Sequence, residues 1–260
     1  MKKFAFYILI LLPGAAAAET PSLWGDKTKV TLGASAGIAP EYMGADDMRA
    51  VLVPQVNVSR GIFFADSRRG IGVQYRNDNG FAARTAIAYE PGRSEKAGVL
   101  RPGSKDLRGM GEIDASALWN IALAQDVTPW LTVNGEANIH LGGQKHRGHD
   151  FRIGVEGKVL ANERDTLKVN ANLHGGNSDY QQTWFGVSPA QAARSAFPAF
   201  KAGKGIHAVS AGAAWERQLD AHWTLGANVQ WTQITGDAKD SPLVREKSGV
   251  TALGTVKYAF

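Results

Sequence analysis

Val250-Thr-Ala-Leu-Gly-Thr-Val-Lys-Tyr-Ala-Phe260 closes the chain, and in it Val250, Ala252, Val256, Tyr258 and Phe260 alternate with Thr251, Thr255 and Lys257. Successive strand side chains point to opposite faces, so the segment reads as a strand with one apolar face. The same two-residue period runs upstream through most of the sequence. Val30, Leu32, Ala34, Ala36 and Ile38 share a face, as do Phe81, Ala83, Thr85, Ile87 and Tyr89. Further sets are Ile113, Ala115, Ala117, Trp119, Ile121 and Leu123; Leu131, Val133, Ala137, Ile139 and Leu141; and Phe151, Ile153, Val155 and Val159. Then come Leu167, Val169, Ala171 and Leu173; Val209, Ala211, Ala213 and Trp215; and Trp223, Leu225, Ala227, Val229 and Trp231.

Each face needs either a packed core or lipid, and the connections decide between them. Short links, Asn77–Gly80, Asp126–Pro129, Asn162–Asp165 and Leu219–His222, carry the Asp, Asn, Gly and Pro of tight turns. They alternate with long ones: Ala39–Arg49, Pro91–Gly109, Gly142–Gly148, Gly176–Lys204 and Gly236–Lys247. Such alternation predicts a closed antiparallel transmembrane β-barrel with short periplasmic turns and longer extracellular loops. The stretch Gly61–Asn77 must split at Asp66-Ser-Arg-Arg69 to keep the long loops on one side, which gives about twelve strands. An even number closes the sheet and leaves no backbone edge to face hydrocarbon.

The other end of the chain fits an exported protein. Lys2 and Lys3 precede the apolar run Phe4–Leu12, the break Pro13-Gly14 and the small residues Ala15–Ala18, so a signal peptide cleaved after Ala18 is expected, with residues 19–260 as the barrel. The apolar run is about half the ~20 residues a spanning helix needs. The 29 Lys and Arg against 24 Asp and Glu include those two leader lysines, so the excess is mild. No basic cluster interleaves with stacking aromatics, and nucleic acid is not an expected partner. With no Cys, order must come from backbone pairing and burial. Mean hydropathy is −0.21, as a barrel with alternating faces would give.

Tyr89, Trp119, Trp130, Trp215, Trp223 and Trp231 fall near expected strand ends and are assigned to the two interfacial aromatic girdles. The terminal Tyr258 and Phe260 resemble the signal read by the bacterial barrel-assembly machinery, so an outer-membrane location is expected.

Several segments resemble the MltA-interacting protein / outer-membrane protein V family. They are Pro40-Glu-Tyr-Met-Gly44, Gly92-Arg93, Leu107-Arg-Gly-Met-Gly-Glu-Ile-Asp114, Phe185–Phe200, Gly236-Asp-Ala-Lys-Asp-Ser-Pro-Leu243 and Tyr258-Ala-Phe260. The resemblance implies an outer-membrane barrel acting as an envelope scaffold that brings a lytic transglycosylase and a peptidoglycan synthase together. The alternative is a narrow pore or small-molecule-binding barrel gated by its long loops.

No catalytic, metal or cofactor site is expected. His207 and Ser210, three apart in one strand, should point to opposite faces. His140 and His174 should face the lumen, within reach of Asp114 and Glu136 from across the barrel. His146 and His149 lack enough carboxylate or thiolate company for a metal. The lumen should hold Arg84, Glu90, Asp114, Glu136, Arg152, Glu156 and Lys158 as mutual partners. Arg93, Lys96, Arg101, Lys105, Arg108, Lys145 and Arg147 are candidate contacts for lipopolysaccharide phosphates. Tyr180, Trp184, Phe185, Phe197 and Phe200 make Gly176–Lys204 too aromatic for a solvated tip, so this loop should fold into the mouth and narrow the lumen.

Overall fold

The computed structural model of the chain describes residues 23–142 and 147–260. The expected leader and its cleavage position after Ala18, and Lys145 and His146, lie outside the described residues. Twelve antiparallel strands close into one barrel. They are β1 (Lys29–Pro40), β2 (Met48–Arg60), β3 (Phe63–Asp66), β4 (Gly70–Arg76), β5 (Phe81–Glu90), β6 (Ser116–Asp126), β7 (Leu131–His140), β8 (His149–Ala161), β9 (Asp165–Gly176), β10 (Gly205–Gln218), β11 (Trp223–Ile234) and β12 (Ser248–Ala259). Among the described residues no helix is long and apolar enough to cross a membrane.

The terminal segment seals the cylinder. β12 pairs with β11 on one side and β1 on the other, with Tyr258 opposite Leu32 and Val256 opposite Ala34, so Val256 and Tyr258 meet apolar neighbours on the outside. Ser35, Thr255 and Lys257 face inward, where Ser35 and Thr255 share a 2.6 Å hydrogen bond and Lys257 pairs with Glu216 of β10. The outer belt leaves Ile71, Ile87, Leu123, Ile153 and Val229 at least half exposed, an arrangement stable only against lipid.

Inside, charge is neutralised by charge. Arg152 reaches Glu136 at 2.9 Å and donates to Asn134 and Asn172, Arg84 donates to Asn120 and lies 3.6 Å from Glu136, and Lys168 meets Glu156 at 2.5 Å. Asp114 departs from the expected set, since it is exposed in the loop before β6. Ile113, read from the sequence as the first residue of that strand's apolar face, is instead buried and forms an isolated bridge with Arg93.

The split at Asp66–Arg69 is where the structure turns, because the Asp66 carboxylate accepts the backbone N–H groups of Arg68 and Arg69 at 2.9 Å each. This link is on the side of the long loops yet spans only Ser67–Arg69. A second irregularity is a bulge between Ile206 and Ala208. The extra residue turns His207 inward, so His207 and Ser210 face the same side, contrary to strict alternation.

A side chain at Gly37 would place its Cβ 1.9 Å from the Ala252 carbonyl oxygen, across the closing seam. Gly37→Leu is expected to cost at least ~1–3 kcal/mol, the scale of overpacking, and to lower the temperature at which the refolded barrel loses its compact electrophoretic mobility. Unchanged heat-modifiability would show that the seam tolerates separation.

Candidate functional site

The extracellular mouth is where segments distant in sequence converge. Helix α1 (Ser178–Phe185) begins at Asn177, whose side chain accepts the Tyr180 N–H. A second helix, α2 (Pro189–Ala192), opens with a capping box between Ser188 and Gln191 and has Pro in its first turn. These caps fold the loop between β9 and β10 into a lid, tied by an antiparallel bridge between Val187 and Phe200.

The lid packs against three other loops. Tyr42, Ala45, Leu107, Met110, Val187, Phe197 and Leu243 form one buried cluster, with Phe200 against it; Phe185, Ala202, Ile234 and Ala238 form a second, flanked by Trp184. Phe185 and Leu243 are fully buried. Polar bonds fix the register: Tyr42 Oη donates to Leu243 O at 3.1 Å, Ser241 Oγ to Phe185 O at 2.5 Å, Gln191 Nε2 to Met110 O at 2.7 Å and Arg93 Nη1 to Trp184 O at 2.9 Å. Gly109, at φ +87°, sits against the Arg194 carbonyl oxygen where a Cβ would lie 2.0 Å away.

Arg93 and Arg147 are therefore not surface cations for lipopolysaccharide, because both are buried. Arg147 pairs with Glu90 and donates to the Asp114 carbonyl, while Glu90 also meets His140 at 2.8 Å, so this His finds its carboxylate on β5 rather than at Asp114 or Glu136. Burial pulls the Arg93 guanidinium down to about 10, with Tyr42 opposing the shift. Arg101 is held by Glu112 at 2.9 Å. Lys96, Lys105 and Arg108 remain exposed at the outer surface, and Lys145 is outside the described residues.

Tyr180, on α1 of the lid, is 7 % exposed, and burial pushes its phenol well above the usual range, helped by Asp150 and Glu90. Its ring neighbours are His140, Trp184 and His207. Below it His174 Nε2 and Ser210 Oγ are 2.8 Å apart in the lumen, a pair the sequence reading missed because the partners sit on neighbouring strands. No carboxylate contacts His174 among the described residues, so the third member of a nucleophile–base–orienter relay is lacking.

The aromatics assigned to the girdles lie on the outer face. Tyr89 and Trp130 are 69 % and 59 % exposed, Trp119 donates to Thr85, and Trp215 donates to Asp165 at 3.0 Å near the turn end. Trp223 and Tyr258 meet edge to face, and Tyr258 also packs on Phe260. Between lid and strands lies a cavity of about 400 Å³ lined by Tyr42, Met43, Trp184 and Ile234. A more polar cavity of about 410 Å³ beneath it is lined by Arg152, His174, Ser210 and, again, Met43 and Tyr180.

Residues 32–260 match the family model described as MltA-interacting protein MipA. None of the curated proteins matches the chain. Among solved structures, the chain is similar to the NanC porin (10% identity, 89% of this chain and 99% of that one, TM-score 0.43). It is also similar to the translocator domain of autotransporter NalP from Neisseria meningitidis (10%, 91% and 89%, 0.43) and to a loop-deletion form of OmpT from Vibrio cholerae (6%, 90% and 98%, 0.40).

Phe185→Ala should cost about 3–5 kcal/mol locally, the scale of emptying an aromatic site in a core. The barrel should stay folded while protease cuts between residues 186 and 204 far faster than in the parent; equal resistance would show that Phe185 does not hold the lid.

Proposed function

Since the chain belongs to the MltA-interacting protein family, matched over residues 32–260, we propose that this outer-membrane barrel is an envelope scaffold that holds a murein-remodelling enzyme at the inner side of the membrane. The partner class is a lytic transglycosylase, with a peptidoglycan synthase as the second member. The observation that carries this reading is the lid: four extracellular loops bury their apolar side chains in one another across the mouth, and ion pairs cross the lumen beneath. Such an interior suits a rigid platform better than bulk solute flow. The narrowing of the lumen by Tyr180, Trp184, Phe185, Phe197 and Phe200 belongs to this proposal. So do insertion through Tyr258 and Phe260 by the barrel-assembly machinery and lipopolysaccharide contact at Lys96, Lys105 and Arg108. No reaction is assigned to the lumen.

A second reading, a small-molecule-binding barrel or narrow pore, is favoured by the apolar cavity of about 400 Å³ under the lid.

Detergent-folded protein immobilised on beads should retain a purified lytic transglycosylase, and single-channel recordings should show conductance far below that of an open porin. No retention together with a large, steady conductance would replace the scaffold with a pore.

A further inference from the structure

The wall of the barrel is unequal in height. β2 has 13 residues, but only Asn57–Arg60 pair with β3, which has four residues, and β4 has seven. The β3–β4 hairpin stops at Ser67–Arg69, and the first residue of β4 after this turn, Gly70, lies beside Ala88, below Tyr89 on the outer girdle. Above this turn β2 and β5 have no strand between them. At about 3.3 Å per residue and a tilt near 45°, the missing stretch is a notch on the order of 10 Å high, in the outer-leaflet half of the wall.

The sequence of β2 is adapted to a free edge there. Ser67 N–H donates to Val56 O, Val56 N–H donates to Ser67 Oγ, and Ser67 Oγ donates to Pro54 O, so Val56 and Pro54 turn their backbone groups away from β1. Pro54 has no N–H to leave unpaired, as edge positions favour. Leu52 and Ala50 share that phase, and among the described residues nothing bonds their amides on this side. Dry hydrocarbon would charge several kcal/mol for each such group, so the notch must be wetted from the lumen or occupied. Arg49 Nη1 donates to Gly98 O and Val99 O at 3.0 Å each, which lays the next loop over the top as a lintel, with Val99 and Leu100 exposed.

The notch leads inward. A cavity of about 240 Å³ is lined by Val56, Ser67 and Arg68; Arg68 also lines the polar cavity below the lid, and that cavity shares Met43 and Tyr180 with the apolar one. Arg68 is exposed to this space, and its guanidinium has no carboxylate partner among the described residues. Among the described residues the buried Trp184 Nε1 has no hydrogen-bond partner either.

We propose that the gap above the β3–β4 hairpin is a lateral portal through which a single-chain anionic amphiphile passes from the outer leaflet into the barrel. Its tail lies in the apolar cavity beside Trp184 and its carboxylate or phosphate on Arg68. The occupant follows from charge and depth: the portal opens at acyl-chain level, the inner cavity is mostly apolar, and of the arginines that line the path Arg68 is the one with no carboxylate partner among the described residues.

The test uses 12-bromododecanoate as probe with the detergent-folded full-length barrel. Saturable quenching of tryptophan fluorescence should occur and be absent in Trp184→Phe, and Arg68→Ala should weaken it about tenfold while heat-modifiability is kept. Because the chain has no Cys, Ser67→Cys can be coupled to a polyethylene glycol maleimide after folding. That label should slow quenching at least tenfold, whereas the same label on Lys239→Cys, on the extracellular loop after β11, should leave the rate unchanged. Saturable quenching that survives Trp184→Phe, above the linear background from the outer-face tryptophans, or that only the Lys239 label slows, overturns the portal. So does efficient disulfide linkage of two Ser67→Cys chains, which would make the free edge a contact between copies. Retention of a transglycosylase is independent of all these outcomes.

Discussion

Everything in this molecule depends on one requirement, that a backbone placed in hydrocarbon must satisfy its own hydrogen bonds. An open sheet cannot do so, and the pairing of β12 with β1 is the contact that removes the two edges. Strand length, the alternation of faces and the even strand number all serve that closure. So does the order of connections, because only antiparallel neighbours of similar reach can be joined by tight turns on one side.

Closure creates the second problem, an enclosed polar interior. The chain solves it by pairing opposite charges across neighbouring strands, as in Arg152 with Glu136 and Lys168 with Glu156, and by covering the mouth with loops. The lid is a small globular core perched on a membrane protein: apolar residues from four loops bury one another as they would in a soluble domain, held in register by side chain to carbonyl bonds. Wall and lid thus follow opposite solvent rules within a few ångströms, and the low point of the wall at β3 and β4 lies between them.

Alternation along the strands was legible because period two survives even when mean hydropathy is unremarkable, and the short Asp66–Arg69 turn was legible from parity alone. The aromatics of Gly176–Lys204 suggested a loop folded into the mouth, whereas the segments it packs against, Pro40–Gly44, Leu107–Asp114 and Gly236–Leu243, stood in the sequence only as scattered family-like stretches, whose reason for existing together is that they touch. Arg93 and Arg147 misled because a cation in a loop reads as solvated until its partners, the Trp184 carbonyl and Glu90, are brought to it. His207 misled because a one-residue bulge reverses the facing of everything on one side of it and leaves no mark in composition.

Periodicity along the chain already implied a closed barrel of about twelve strands, its apolar exterior and the side on which the long loops lie, because each is a local property repeated from strand to strand. Which loop residues became core, which histidine met Glu90 and which met Ser210, and where the wall falls short were set by the folded contacts. Those outcomes hang on contacts between residues far apart in the chain, and on how the unequal lengths of β2, β3 and β4 add up around a circle.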